Sequence, residues 1–156
     1  MNKKSIAMSL LSGILGTCLF TAAQAAGPKP EDAAKYRQAV YTVVGWNFKP
    51  IGAMVKGEMP FDAAAVARHA QYVELMSQTA LEGFAKGSGP DAVKNTEAKA
   101  EIWTNWDKFE TAMKNFQQES AKLTETAKGG DEAAIKAQFA KTAETCKACH
   151  KEFKKD

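Results

Sequence analysis

From residue 28 onward the apolar residues of this chain return at steps of three and four instead of alternating, and long β-branched runs are absent. That period is helical, so the chain is predicted to be all-α. A first helix is expected from about Glu31 to Lys56, with Pro30 ahead of it, Glu31 and Asp32 in its first turn and Gly57 as its stop. Its stripe runs through Tyr36, Val40, Val43, Val44, Phe48, Ile51 and Val55, and Pro50 inside it should kink the helix or split off a last turn. A second helix follows Pro60, with Asp62 near its N-terminus, and carries Val66, Ala70, Val73, Met76, Ala80 and Phe84 before Gly87. "KGSGPDAVKNTEAKA" is the only long connection, a loop with room for one helical turn. A third helix, about Glu97 to Lys128, ends at Gly129-Gly130, and Asp131 then caps a fourth that leads into Cys146. Four helices of roughly 35 to 48 Å, two of their three connections short, predict an antiparallel up-down-up-down four-helix bundle.

The first 25 residues stand apart. Lys3 and Lys4 precede an uncharged, largely apolar stretch that closes on Ala23-Gln24-Ala25, the pattern of a cleaved secretory signal peptide. The expected mature domain is therefore 26–156, exported to the periplasm and without a membrane anchor. Removing the signal takes 2 of 21 basic residues and leaves 19 against 18 acidic ones. A chain so near neutral has no electrostatic footprint for nucleic acid. Removal also takes Cys18, so 2 of the 3 cysteines remain, Cys146 and Cys149.

These two belong to "CKACH", six residues from the C-terminus, where on a helix Cys146, Cys149 and His150 project from one face. A zinc site needs four protein ligands or three and a water, and the only other histidine is His69, so a closed structural site is not expected. A redox dithiol wants its pair at a helix N-terminus, where the dipole lowers the thiol pKa, and this pair stands at the far C-terminal end of a helix. Covalent attachment of one haem c fits every feature. The two thiols form thioethers with its vinyl groups, and His150 becomes an axial ligand of the iron.

The other axial position decides what such a protein does. Candidates are Met54, Met59, Met76, Met113 and His69. Met76 and Met113 follow their helices' apolar stripes and read as packing, and His69, one position off its stripe beside Arg68, reads as a partly exposed surface histidine. "KPEDAAKYRQAVYTVVGWNF", "VKGEMPFDA", "EIWTNWDKFETA" and the closing "CKACH" together resemble the cytochrome c′ family, the class II c-type cytochromes, over essentially all of residues 28–154. The resemblance implies a periplasmic four-helix bundle with one covalent haem c, often a homodimer through the first helices. It implies high-spin, five-coordinate iron with a first-helix residue over the vacant face.

Carried onto this chain, the resemblance makes Cys146 and Cys149 the thioether residues and His150 the proximal ligand. Arg37 becomes the arginine associated with a haem propionate, where a solvated helix charge is the plainer alternative. Tyr41 stands where low-spin relatives place a methionine ligand. Lys154, four residues after the histidine, departs from the arginine common in the family and loses its planar guanidinium. The resemblance thus implies a small apolar pocket among Tyr41, Val40, Val44 and Phe84 that admits diatomic gases. The expected role is binding of nitric oxide, and of carbon monoxide, by a carrier and not an enzyme, with a plain periplasmic electron-transfer cytochrome that exchanges electrons with a donor as the alternative.

Overall fold

The computed structural model describes residues 27–155; the expected signal peptide, residues 1–25, lies outside the described residues. Four long helices form the bundle: α1 (Pro30–Val55), α2 (Ala63–Thr79), α4 (Trp106–Lys128) and α5 (Glu132–Phe153), with a short α3 (Glu101–Thr104) ahead of α4. The caps are those the sequence indicated. Asp62 accepts from Ala65 N–H at 3.0 Å and Asp131 from Ala134 N–H at 2.6 Å, each satisfying a first-turn donor with no helical partner. Gly57 and Gly130, just past α1 and α4, adopt φ of 76° and 70°, the left-handed region that lets the chain leave a helix.

Two helix boundaries need correction, as does the stripe of the first helix, whose Tyr36 and Val43 are exposed; at Pro50 one of the two expected outcomes is excluded. Pro50 splits off no last turn, for α1 runs unbroken to Val55. The proline frees only the carbonyl of Trp46, and Trp46 is on the surface, where water can replace the lost donor. The second helix ends at Thr79 and tightens into a 3₁₀ segment, Ala80–Phe84. The third helix begins at Glu101, not Glu97, and breaks at Asn105 before α4. Residues 97–99 cannot be helical because their backbone pairs with the last residue of α5 and the chain beyond it: Lys99 N–H donates to Phe153 O at 2.9 Å and Lys155 N–H to Glu97 O at 2.7 Å.

Around the bundle α1 packs along α2, α2 along α4 and α4 along α5, and the seam between α1 and α5 is much the thinnest. The core has two parts. One is aliphatic, built from Ile51, Met54, Val66, Leu123 and Ile135 with their neighbours. The other is aromatic, with Phe84, Phe109, Phe116 and Phe153 beside Val40, Val44 and Met113. Among the described residues no helix is long and apolar enough to cross a membrane.

Candidate functional site

The last turns of α5 carry Cys146, Cys149 and His150. Both thiols are free, half-buried and packed against the aromatic cluster, while His150 is exposed. Thr142 is fully buried, and its carbonyl accepts the Cys146 Sγ–H at 3.6 Å, which turns that thiol inward. Burial raises the Cys146 thiol and pushes Cys149 up to about 11, the latter helped by Cys146 and Glu152. Neither is a ready nucleophile of the low-pKa dithiol kind. The His150 imidazole is lowered, first by partial burial of the ring and then by Lys154, against a smaller opposing effect of Glu97. Its ring is thus biased to the neutral form a metal ligand needs. Among the described residues no three His, Cys, Asp or Glu side chains converge as a metal-chelating group.

Opposite these residues stands α1. Tyr41 packs on the same aromatic cluster as the two cysteines and lies close enough that both thiols raise its phenol pKa, after burial, which is the larger cause. Its ring meets the edge of Phe84 with centroids 6.4 Å apart, and its hydroxyl donates to Met113 Sδ at 3.4 Å. Val40 and Val44 flank it in the cluster, so the four residues expected around the pocket are together.

Arg37, one turn before Tyr41, is 4% exposed, which overturns the solvated-charge alternative. Nη1 donates to Gly83 O at 3.0 Å and Ser88 Oγ at 3.1 Å, and Nη2 to Ser88 O at 3.0 Å and Thr96 Oγ1 at 2.8 Å. The guanidinium also lies over Phe84 and Trp103, 5.5 and 5.7 Å from their ring centres. A Cβ on Gly83 would stand 2.5 Å from Arg37 Cβ, so glycine is what lets the 3₁₀ segment reach the arginine. Every one of these partners is neutral. Desolvation lowers the Arg37 pKa, and the buried positive charge is uncompensated by any carboxylate among them.

The other sixth-position candidates separate. Met54 is buried in the aliphatic cluster, away from the cysteines, and Met59 is exposed. His69 is half-buried, with Nδ1 2.9 Å from the Oδ1 of buried Asn47, so it is tied to α1 and not free on the surface. Met76 packs against the aromatic cluster. Met113 is buried as a core residue should be, but it is also the partner of Tyr41. Lys154, beyond α5, places Nζ 3.0 Å from Glu97 Oε2, next to the backbone bridge of its own residue with Ala98. Sequence reasoning missed this closure and the loop clamp on Arg37; Ser88 and Thr96, two hydroxyls within the long connection, were the available signal.

Two free thiols at i and i+3 turned into an aromatic interior, an imidazole at i+4, a phenol facing them and a buried cation without a counter-anion suit a flat, apolar, anionic macrocycle with a central metal. The class so defined is a four-helix bundle with a C-terminal Cys-x-x-Cys-His motif whose surroundings suit a haem. The cytochrome c′ family model matches residues 32–154. A cytochrome c′ of Halomonas halodenitrificans is 36% identical over 129 residues, 81% of this chain and 98% of that relative; one of Rubrivivax gelatinosus is 38% identical over 126 residues, covering 81% and 96%. Among solved structures, cytochrome c prime from Shewanella frigidimarina superposes with a TM-score of 0.77 at 42% identity, over 81% of this chain and 97% of that one. A nitric oxide complex of a cytochrome c prime variant from Alcaligenes xylosoxidans gives 0.76 at 31%, over 84% and 100%. This chain belongs to the cytochrome c′ family.

Proposed function

We propose that the protein is a periplasmic carrier of diatomic gas, without enzymatic activity, that holds one haem c through Cys146 and Cys149 with His150 as proximal ligand. When bound, the haem supplies a five-coordinate, high-spin iron with one open position for nitric oxide or carbon monoxide. The observation that carries the reading is the placement of Tyr41 beside both thiols, where its bulk covers the approach and its hydroxyl, already donating to Met113, is a poor ligand. Arg37 supplies a buried positive charge suited to a propionate. The apolar side chains of Val40, Val44 and Phe84 keep the space small and disfavour charged or bulky ligands. The nitric oxide complex of the Alcaligenes relative supports the choice of ligand. Export follows from the reading of residues 1–25 as a signal peptide.

A homodimer through the first helices is part of the same reading. Tyr36, Val43 and Trp46 form an exposed apolar stripe on α1, beside Tyr72 and Leu75 of α2, and Trp46 is 78% exposed. Large apolar side chains exposed on two adjacent helices are the kind of surface a second copy of the chain covers.

Absorption and resonance Raman spectra of the purified protein test the function. A high-spin ferric spectrum at neutral pH and a new ferrous species with nitric oxide are expected; a low-spin, six-coordinate ferric spectrum would sink the reading. Electron transfer is the second reading, favoured by the exposure of His150, which brings the attachment site to the protein surface. Stopped-flow comparison of nitric oxide uptake with electron exchange to a periplasmic donor separates the two.

A further inference from the structure

Tyr41 and Met113 stand on helices that occupy opposite corners of the bundle. α1 and α4 share little contact, yet the phenol crosses the interior to bring its hydroxyl within 3.4 Å of Met113 Sδ. Met113 is 2% exposed and lies between Phe109 and Phe116 in the stripe of α4, a position that a leucine could fill equally well for packing alone. Methionine adds an unbranched reach and a thioether that can accept a hydrogen bond. The Tyr41 ring is held at one edge by Phe84 and at its hydroxyl by the sulfur. Burial keeps the phenol protonated, and therefore a donor, well past its ordinary pKa of 10.0. Val40, Val44, Phe84 and the two half-buried thiols complete its surroundings, and the sulfur is the acceptor it uses.

We propose that Met113 is a positioning residue for the distal face: its thioether latches the Tyr41 phenol across the bundle, and a small ligand entering the space before the two thiols must break that latch. The inference rests on the reading of Tyr41 as the distal residue. It adds that the ease of entry is set from α4, on the far side of the bundle, as well as by the tyrosine itself.

The test uses the full holo-protein in its ferrous form, with carbon monoxide as the probe. Association rates are measured for wild type, Met113→Leu, Tyr41→Phe and the double variant, with urea unfolding as the control for packing. Each single variant is expected to bind about fivefold faster, the factor one net hydrogen bond is worth. The double variant should be no faster than either single one, since both remove the same bond. Ultraviolet resonance Raman of the tyrosines supplies a readout that packing would not move: the signal of a sulfur-bonded phenol is present in wild type, absent in Met113→Leu, and lost from wild type on adding carbon monoxide.

If Met113→Leu binds at the wild-type rate while Tyr41→Phe is fast, the latch is overturned and the distal role of Tyr41 stands. Rates unchanged in both would remove the distal reading and the latch with it. Rate gains that multiply in the double variant would reduce Met113 to packing and also overturn the latch. Should Met113→Leu fail to fold, wild type alone decides, because a tyrosine signal that ignores carbon monoxide overturns the proposal.

Discussion

At the end of the bundle where α1 finishes and α5 begins, Ile51, Met54, Val66, Leu123 and Ile135 close on one another, Phe139 stacks on Phe48 at 4.4 Å, and a Cβ on Gly52 would meet Phe139 Cζ at 2.9 Å. At the other end α1 faces α5 through a tyrosine and two thiols, an arginine is buried among neutral acceptors, and the rings of Phe84, Phe109, Trp103 and Phe153 lie at mixed angles. The first end is dispersion and hydrophobic burial with little left to satisfy. The second carries polar obligations that the bundle meets by folding a loop and the chain terminus over it. One end fastens the helices; the other is left with chemistry to do.

Breaking the aliphatic end should give the largest change in stability. Leu123 is fully buried, so Leu123→Ala is expected to cost about 3–4 kcal/mol in urea unfolding. The haem spectrum should stay unchanged, because the cavity opens away from the cysteines. A spectral change comparable to the loss of stability would show that the two ends are not separate.

Next comes pH, whose alkaline effect is read at the thiol end. In the haem-free chain Cys149 is raised from 9.0 to about 11 by burial. An acid whose folded pKa is raised favours folding while it is protonated, so that stability is complete below about pH 9 and lost as pH climbs toward 11. The loss is roughly 3 kcal/mol. Urea midpoints across that range check it, together with slower alkylation of Cys149 in the folded than in the unfolded chain. Replacing Cys149 by Ala should make the profile shallower, the remainder belonging to Cys146 and Tyr41.

A smaller effect is expected from Arg37→Met, about 2 kcal/mol. It leaves the Gly83 and Ser88 carbonyls and the Ser88 hydroxyl without their donor, while the Thr96 hydroxyl keeps only the Ala98 N–H. Arg37→Lys should recover only part, because one ammonium cannot span what two guanidinium nitrogens reach. Hydrogen exchange of residues 83–96 should rise in both variants, with the aliphatic end protected as before.

Gly52→Ala should be the mildest, about 1 kcal/mol. The added methyl meets the far end of the Phe139 ring, which can tilt away, and not backbone. A cost above that of Arg37→Met would mean the α1–α5 seam is as rigid at Phe139 as the aliphatic cluster beside it.

The long helices were legible because a buried stripe must repeat every three or four residues and because Asp62, Gly57, Gly130 and Asp131 are local signals read within one turn. Cys146, Cys149 and His150 were legible for the same reason, since their relation is contained in five residues of one helix. The start of the third helix was not. Residues 97–99 have a helical neighbourhood in sequence, but their backbone donors and acceptors are claimed by residues 153–155, more than fifty positions away. Nor does local pattern tell a buried Arg37 from a solvated one, for the difference lies in where residues 83–96 fold.

The sequence by itself determined an all-helical chain, four amphipathic faces and the spacing of two thiols and an imidazole, since each of these is a matter of period along one helix. Only the tertiary structure decided that Tyr41 and the thiols pack on one cluster, that Met113 receives its hydroxyl from the opposite corner, and that the described partners of buried Arg37 include no acid. The physical reason is the same in each case. Such contacts join residues on different elements, and their existence depends on how the whole set of stripes packs, which no single stripe contains.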